Sequence, residues 1–300
     1  MTTGHSSPSE SRTRIAATMG KARILLEAMP YIRRFAGETI VVKYGGSAMV
    51  DQALADSFAA DITLLSLVGL RPVVVHGGGP QISSAMERAG VEPRWVDGLR
   101  ITDAATMAVV QEVLAGTVNP SIVLDLVSQG ANAVGVTGID GGLLLAEPRD
   151  PALGFVGRVT SVNTALVEGL LSQGVVPVIA PIARGGDGAV YNLNADTAAA
   201  AIARALGARK LVYLTDVEGL YADYTRPETF ISKLSVDEAR ALLPSIEGGM
   251  RPKVESSIQA IDGGVGEAHI LDGRVQHAVL LEVFTPEGIG TMIVGSDREG

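Results

Sequence analysis

Two stretches of this chain obey one grammar. In VVKYGG (Val41–Gly46) and in VVVHGGG (Val73–Gly79), a valine run ends in polar residues and then in consecutive glycines. Each run is too uniformly apolar for a half-exposed strand and reads as a buried one. The glycines let the backbone at the strand end approach a ligand closely. A helical pattern follows each time: DQALADSFAADITLLSLVG, closed by Gly69, and PQISSAMERAG, with Pro80 near its first turn and Gly90 as its C-cap. Strand, helix, strand, helix, with glycines after the strands, predicts a mostly parallel sheet.

The rhythm continues. A helical stretch over about residues 103–129 precedes strand NAVGVTG, and the glycine-dense segment from Gly141 to Val159 reads as a short hairpin. Helix VNTALVEGLLSQG leads to strand VVPVIAPI, and AVYNLN leads into helix ADTAAAAIARALG. KLVYLTD is a strand followed by a loop, RPKVESSIQAIDGG a helix, and AHILDGRVQHAVLLEV a strand, a turn and a second strand. The two halves are expected to share one sheet, with a soft boundary near Pro181. Upstream, Met19 to Phe35 has helical apolar spacing at Ile24, Leu25, Ala28, Tyr31, Ile32 and Phe35, with Pro30 expected to kink or interrupt it. Residues 1–18 are polar, lack an apolar signal-peptide core and read as a disordered tail.

Bulk properties narrow the function. A formal charge of -9 argues against general nucleic-acid binding, so any phosphate must be held by local lysines, arginines and backbone N–H groups. With no cysteine, thiolate catalysis, disulfides and Cys-ligated zinc are excluded, and only four histidines argue against a His-rich metal site. No apolar run is expected to span a bilayer, and the cytoplasm is the default compartment.

Several residues carry chemistry, each with a plainer alternative. Lys43 at a parallel strand's end lies where such sheets bind ligands, against a lysine that merely snorkels. Gly78 and Gly79 expose N–H groups between strand and helix, suiting an anion, with His76 as support. No G-x-G-x-x-G follows either strand, which weakens a dinucleotide oxidoreductase reading. In NLNADTAAA, Asn194 or Asp196 caps the helix, or faces a ligand and a lysine. Thr215 and Asp216 form a plain turn or touch a nucleotide. Lys253, after a glycine pair in a helix's first turn, and Arg100 in DGLRIT are surface charges or ligand contacts.

In order, VVKYGGSAM, VVVHGGGPQI, DGLRIT, YNLNADTAAA, YLTDVEGLY, GGMRPKVE and HILDGRVQHAVLLEVFTPEGIGTM resemble the amino acid kinase family. Within it, they resemble the branch that phosphorylates N-acetyl-L-glutamate on its side-chain carboxylate in arginine biosynthesis. Each motif alone is weak, but seven in sequence over nearly the whole chain are specific. The resemblance implies a three-layer αβα sandwich of about residues 37–296. An N-terminal lobe of about 37–180 would bind the amino acid, and a C-terminal lobe of about 181–296 would bind ATP, with Mg²⁺ riding on the nucleotide. It implies that Lys43 and Lys253 flank the transferring phosphoryl group and that Asp196 orients them. Gly45, Gly46 and Gly78 would donate N–H groups to its oxygens. Gly78, Gly79, Arg100 and Asn192 would hold the amino acid, and Thr215 and Asp216 would lie on the nucleotide side. Arginine-sensitive members also share an N-terminal helix like residues 19–36, which interlaces dimers into a hexamer. For an arginine effector the resemblance points to Glu282, with Lys210, His269 and Gly288 for its other end. The chain departs from the family pattern at Ser47, where asparagine is frequent, and in the short stretch between Gly141 and Val159. Two other activities compete: a kinase of a related amino-blocked or carrier-linked acidic amino acid, and a catalytically silent amino-acid sensor.

Overall fold

The computed structural model describes residues 19, 23, 26–96, 98–285 and 288–296. The tail over residues 1–18, and Ile24 and Leu25 of the proposed N-terminal helix, lie outside the described residues. Residues 26–35 form helix α1, which passes through Pro30 without interruption. Proline removes one N–H from the ladder, and here the following turn is held from its far end. Phe35 is buried in the core, Tyr31 packs against it, and Ala36 N–H closes on the Ile32 carbonyl.

The sheet then builds as the glycine grammar requires. Strand β1 (Thr39–Tyr44) leads through a short 3₁₀ turn to α2 (Gln52–Leu67), capped by Asp51, and β2 (Arg71–His76) leads to α3 (Gly79–Arg88). A two-stranded hairpin, β3 (Trp95–Val96) and β4 (Leu99–Arg100), precedes α4 (Ala104–Val113). A π turn over Leu114–Val118 joins α4 to α5 (Asn119–Ser128), and β5 (Ala133–Thr137) follows. Next come β6 (Leu144–Pro148), β7 (Val156–Val162), α6 (Ala165–Ser172), β8 (Val176–Ala180), β9 (Ile182–Gly185) and β10 (Val190–Leu193). Then come α7 (Ala195–Ala205), β11 (Lys210–Thr215) and the short pair β12 (Leu220–Tyr221) and β13 (Phe230–Ile231). The chain continues with β14 (Lys233–Ser235), α8 (Val236–Leu242), α9 (Met250–Asp262), β15 (Glu267–Asp272), α10 (Ala278–Phe284) and β16 (Thr291–Val294).

Eight strands form one sheet in the order β14-β16-β15-β11-β1-β2-β8-β5. Every neighbouring pair is parallel except β15 and β16. Alternate residues explain the unbroken apolar runs. Ile40, Val42 and Val74 join a core with α2, α4 and α5, while Val41, Val73 and Val75 join the opposite core with α6, α7 and α9. Helices cover both faces, giving a three-layer αβα sandwich with a mostly parallel sheet. The expected hairpin over Gly141–Val159 is β6 with β7, which β9 and β10 close into a small four-stranded barrel.

Three further local expectations are overturned. The second strand read into HAVLLEV is α10; seven apolar-rich residues are too few for periodicity to separate helix from strand. Its start is held by α2, where Asp61 accepts from His277 and Ser57 accepts the His277 N–H. The loop after β11 contains β12, β13, β14 and α8. Finally, the continuous helix Ala104–Ser128, 25 residues, is long and apolar enough to cross a membrane. In the fold it packs on the sheet, with Val110 and Leu126 wholly buried.

Candidate active site

The carboxyl ends of β1, β2 and β11 meet at one sheet edge. Lys43 lies beside Val75 and Tyr213 in register, and Tyr44 lies beside His76. Lys43 is buried, and its side chain folds back over Gly45: a Cβ there would sit 2.5 Å from Nζ. Glycine is therefore required at 45 by the lysine's own path. Gly46 lies against Asp216, where a Cβ would be 2.6 Å from Oδ1. Asp216 and Thr215 thus sit at the same edge, at the end of β11.

The alternatives at NLNAD resolve into a division of labour. Asn194 is the N-cap of α7, its side chain accepting from the N–H groups of Asp196 and Thr197. That frees Asp196 to face two lysines. Its Oδ1 lies 3.1 Å from Lys43 Nζ, and its Oδ2 accepts from Lys253 Nζ at 3.1 Å. Lys253, in the first turn of α9, also donates to the Gly249 carbonyl. Burial pushes the Asp196 carboxyl up, but the two ammonium groups outweigh it and hold the group below its ordinary value. The result is an array of two cations and one anion, with Lys43 and Asp196 buried and Lys253 half-buried, which leaves a local positive surplus.

Beside this array lies a cleft of about 180 Å³. Gly77, Gly78 and Gly79, Arg100, Asn192 and Asn194 line it, so the four residues expected to hold an amino acid come together. Arg100 is buried, and burial lowers its pKa. Its guanidinium donates to Ser83 Oγ at 2.7 Å and to the Gly79 carbonyl at 3.1 Å, and it stacks on Trp95 at 4.3 Å. Among the described residues it has no carboxylate partner, so its charge is open to an anionic ligand. Asn192 donates to Thr102 Oγ1, and Thr102 in turn donates to the Arg100 carbonyl, which ties β10 to β4.

His76, expected as support, ends β2 beside the cleft's glycines. The ring is fully buried, and burial depresses its pKa to about 4, so it is neutral. Sequence reasoning missed Trp95, whose stacking depends on a hairpin register. It also missed Asn119, a polar residue in a long apolar helix; that polarity was the one available signal.

A second cluster forms at the opposite, amino end of β11 and β15. All four residues proposed for an effector lie in it. Lys210 Nζ contacts Glu267 Oε2 at 2.5 Å and His269 Nε2 at 3.1 Å, and His269 Nδ1 lies 2.6 Å from Glu282 Oε1. The Ile289 N–H donates to Glu282 Oε2, and a Cβ on Gly288 would sit 2.8 Å from that oxygen. Glu267 completes the cluster and was not anticipated. Phe35, at the end of α1, lies under the Lys210 ammonium at 5.0 Å.

The family model for amino acid kinases, the "Amino acid kinase family", matches residues 38–272. An acetylglutamate kinase of Acidothermus cellulolyticus is 52% identical over 291 residues, covering 93% of this chain and 98% of that one. One from Synechococcus elongatus is 50% identical over 284 residues, covering 94% of each. Among solved structures, an N-acetylglutamate synthase from Neisseria gonorrhoeae complexed with coenzyme A and N-acetyl-glutamate superposes with a TM-score of 0.82 at 32% identity. That match covers 92% of this chain and 64% of the synthase chain. A carbamate kinase from Giardia lamblia bound to AMP-PNP, 20% identical, has a TM-score of 0.67, covers 87% of this chain and 99% of that one, and shares the fold.

Proposed function

The chain belongs to the amino acid kinase family, and on that footing we propose that it is an acetylglutamate kinase. It transfers the γ-phosphoryl group of ATP to the side-chain carboxylate of N-acetyl-L-glutamate, giving N-acetyl-L-glutamyl 5-phosphate in arginine biosynthesis. The observation that carries the reading is the Lys43–Asp196–Lys253 array next to a cleft lined by the buried Arg100, which has no carboxylate partner among the described residues.

The chemistry needs little more than this. The nucleophile is a carboxylate with a pKa of about 4.3, so it is ionised at neutral pH and needs no general base. Arg100 takes the α-carboxylate, whose two oxygens match its planar fork. Gly78, Gly79 and Asn192 hold the rest of the amino acid. Lys43 and Lys253 neutralise charge on the phosphoryl oxygens as the bond to ADP lengthens, with the N–H groups of Gly45, Gly46 and Gly78 beside them. Asp196 keeps the two ammonium groups apart and aimed. Thr215 and Asp216 belong to the nucleotide side. Mg²⁺ bound with the triphosphate would supply further charge neutralisation. Both Asp196 oxygens already face lysines, which suits a metal held chiefly by phosphate. By this reading, residues of about 37–180 hold the amino acid and those of about 181–296 hold the nucleotide. By the same reading, the enzyme works in the cytoplasm.

The second cluster supports feedback control by arginine. Glu282 would pair the effector's guanidinium, and Lys210, His269 and the backbone near Gly288 would meet its other end. Contact between Lys210 and Phe35 links this cluster to α1, the helix proposed to interlace dimers into a hexamer.

ADP release measured with N-acetylglutamate, glutamate and N-acetylaminoadipate in parallel tests the substrate. N-acetylglutamate is expected to give the highest kcat/KM; preference for either of the others would overturn the reading.

A further inference from the structure

Behind the glycine turn lies a polar pair that the proposed chemistry does not use. Asn119 is buried at the end of the π turn, where its N–H reaches back five residues to the Leu114 carbonyl. Its side-chain Nδ2 donates to the Val178 carbonyl at 2.9 Å and faces His76 Nε2 at 3.1 Å. The amide must take this orientation, because the opposite one would set Oδ1 against the Val178 carbonyl oxygen. Gly135 leaves the room for it: a Cβ there would lie 1.8 Å from Asn119 Oδ1.

The tautomer of His76 then follows. Nε2 accepts from Asn119, so the proton of the neutral ring is on Nδ1, and Nδ1–H donates to the Gly77 carbonyl at 2.7 Å. In a trans peptide the C=O of one residue and the N–H of the next point opposite ways. Holding the Gly77 carbonyl on His76 therefore turns the Gly78 N–H away from it. Gly78 is buried, lines the cleft, and its N–H has no partner among the described residues. The same π turn closes the back of Gly78, where a Cβ would meet Leu114 Cδ2 at 2.5 Å. Widened turns of this kind recur at functional sites.

We propose that Asn119 and His76 are positioning residues, which hold the Gly77–Gly78 peptide so that the Gly78 N–H aims at the transferring phosphoryl group. This deepens the kinase reading and rests on it. Asn119 acts on His76, His76 on the Gly77 carbonyl, and the reacting atoms meet only the Gly78 N–H. Misplacing that donor by an ångström costs up to about 10²-fold in rate.

Nitrogen-15 NMR of the histidine-labelled full chain tests the geometry without substrate. His76 is expected as the neutral Nδ1–H tautomer near pH 7; a proton on Nε2 would overturn the proposal. Kinetics test the consequence. Asn119→Ala should lower kcat at least about 10-fold while KM for ATP and the amino acid stays within about 3-fold. A folded Asn119→Ala with wild-type kcat and only a lower Tm would mean a merely structural role. If that variant fails to fold, His76→Asn and His76→Leu decide. Asparagine can still donate to the Gly77 carbonyl and should retain several-fold more kcat than leucine; equal losses would sink the idea. A wild-type chain silent on N-acetylglutamate would remove the substrate reading instead, and the comparison would then use whichever acidic amino acid it phosphorylates.

Discussion

Lys43 and Lys253 approach opposite oxygens of one carboxylate, each at 3.1 Å from Asp196, although they come from a strand and a helix some two hundred positions apart. The carboxylate lets two cations, Lys43 buried and Lys253 half-buried, face one small space without repelling each other out of it. It also restricts their freedom before any phosphate arrives, and preorganised charge is what phosphoryl transfer uses.

Replacing either lysine with methionine should therefore depress kcat by about 10²-fold or more, with much less change in KM for the amino acid. Methionine keeps the stem's volume and removes the charge. Steady-state kinetics of Lys43→Met and Lys253→Met check this, and near-normal kcat in either would strip that lysine of its role.

Arg100 should separate binding from chemistry in the other direction. Removal of its side chain takes away a buried cation, and a charge-assisted pair of this kind is worth about 1.5–3 kcal/mol, roughly 10- to 150-fold in affinity. Calorimetry on Arg100→Ala should show that loss for N-acetylglutamate and nearly unchanged ATP binding. Equal losses for both ligands would point to a folding defect or a misplaced site.

How much of this was legible beforehand depends on how local each signal is. The parallel sheet could be read from Val41–Gly46 and Val73–Gly79, because buried valine runs and strand-end glycines are short-range features. The α10 helix was misread for the opposite reason. AVLLEVF is compatible with strand or helix, and the decision comes from Asp61 and Ser57, some two hundred residues upstream. In the site, the local pattern left Asn194 and Asp196 interchangeable and only the family resemblance singled out Asp196; in space, the ends of β1, α7 and α9 separate the cap from the lysine partner. Asn119 escaped notice because its partners, His76 and Val178, lie on two different strands.

The amino-end cluster should leave a mark on acid stability. Burial raises the Glu267 carboxyl, but His269 and Lys210 outweigh it and hold its pKa well below the ordinary range. A depressed folded-state pKa contributes stability above the unfolded value, about 4.3, and that contribution is lost as pH falls through the folded one. Urea midpoints should thus fall as pH drops below about 4.3, and Glu267→Gln should flatten that slope. At pH 7 the variant should lose on the order of 3 kcal/mol, since it strands Lys210 without a full partner. A parallel pH profile for variant and wild type would show that Glu267 does not carry the effect.

Arginine inhibition is the prediction that joins both ends of the chain. Lys210, His269, Glu282 and Gly288 converge at the opposite edge of the sheet from Lys43, so a ligand there cannot compete directly for the substrate. Glu282 is buried and held ionised: burial raises it, while the His269 contact and the Ile289 N–H bring it below its ordinary value. A buried carboxylate of this kind is a strong partner for a guanidinium. If arginine prefers a state with poorer active-site geometry, inhibition should be cooperative and should depend on the oligomer. Glu282→Gln should raise the arginine concentration for half-inhibition by at least about 10-fold, while kcat without arginine stays near wild type. Truncation tests the helix, but the cut must spare Phe35, which is 3% exposed and lies under Lys210. Removing residues 1–29 should shrink the particle in light scattering and abolish inhibition with catalysis largely intact. A full-length enzyme whose rate ignores millimolar arginine would defeat the proposal whatever its oligomeric size.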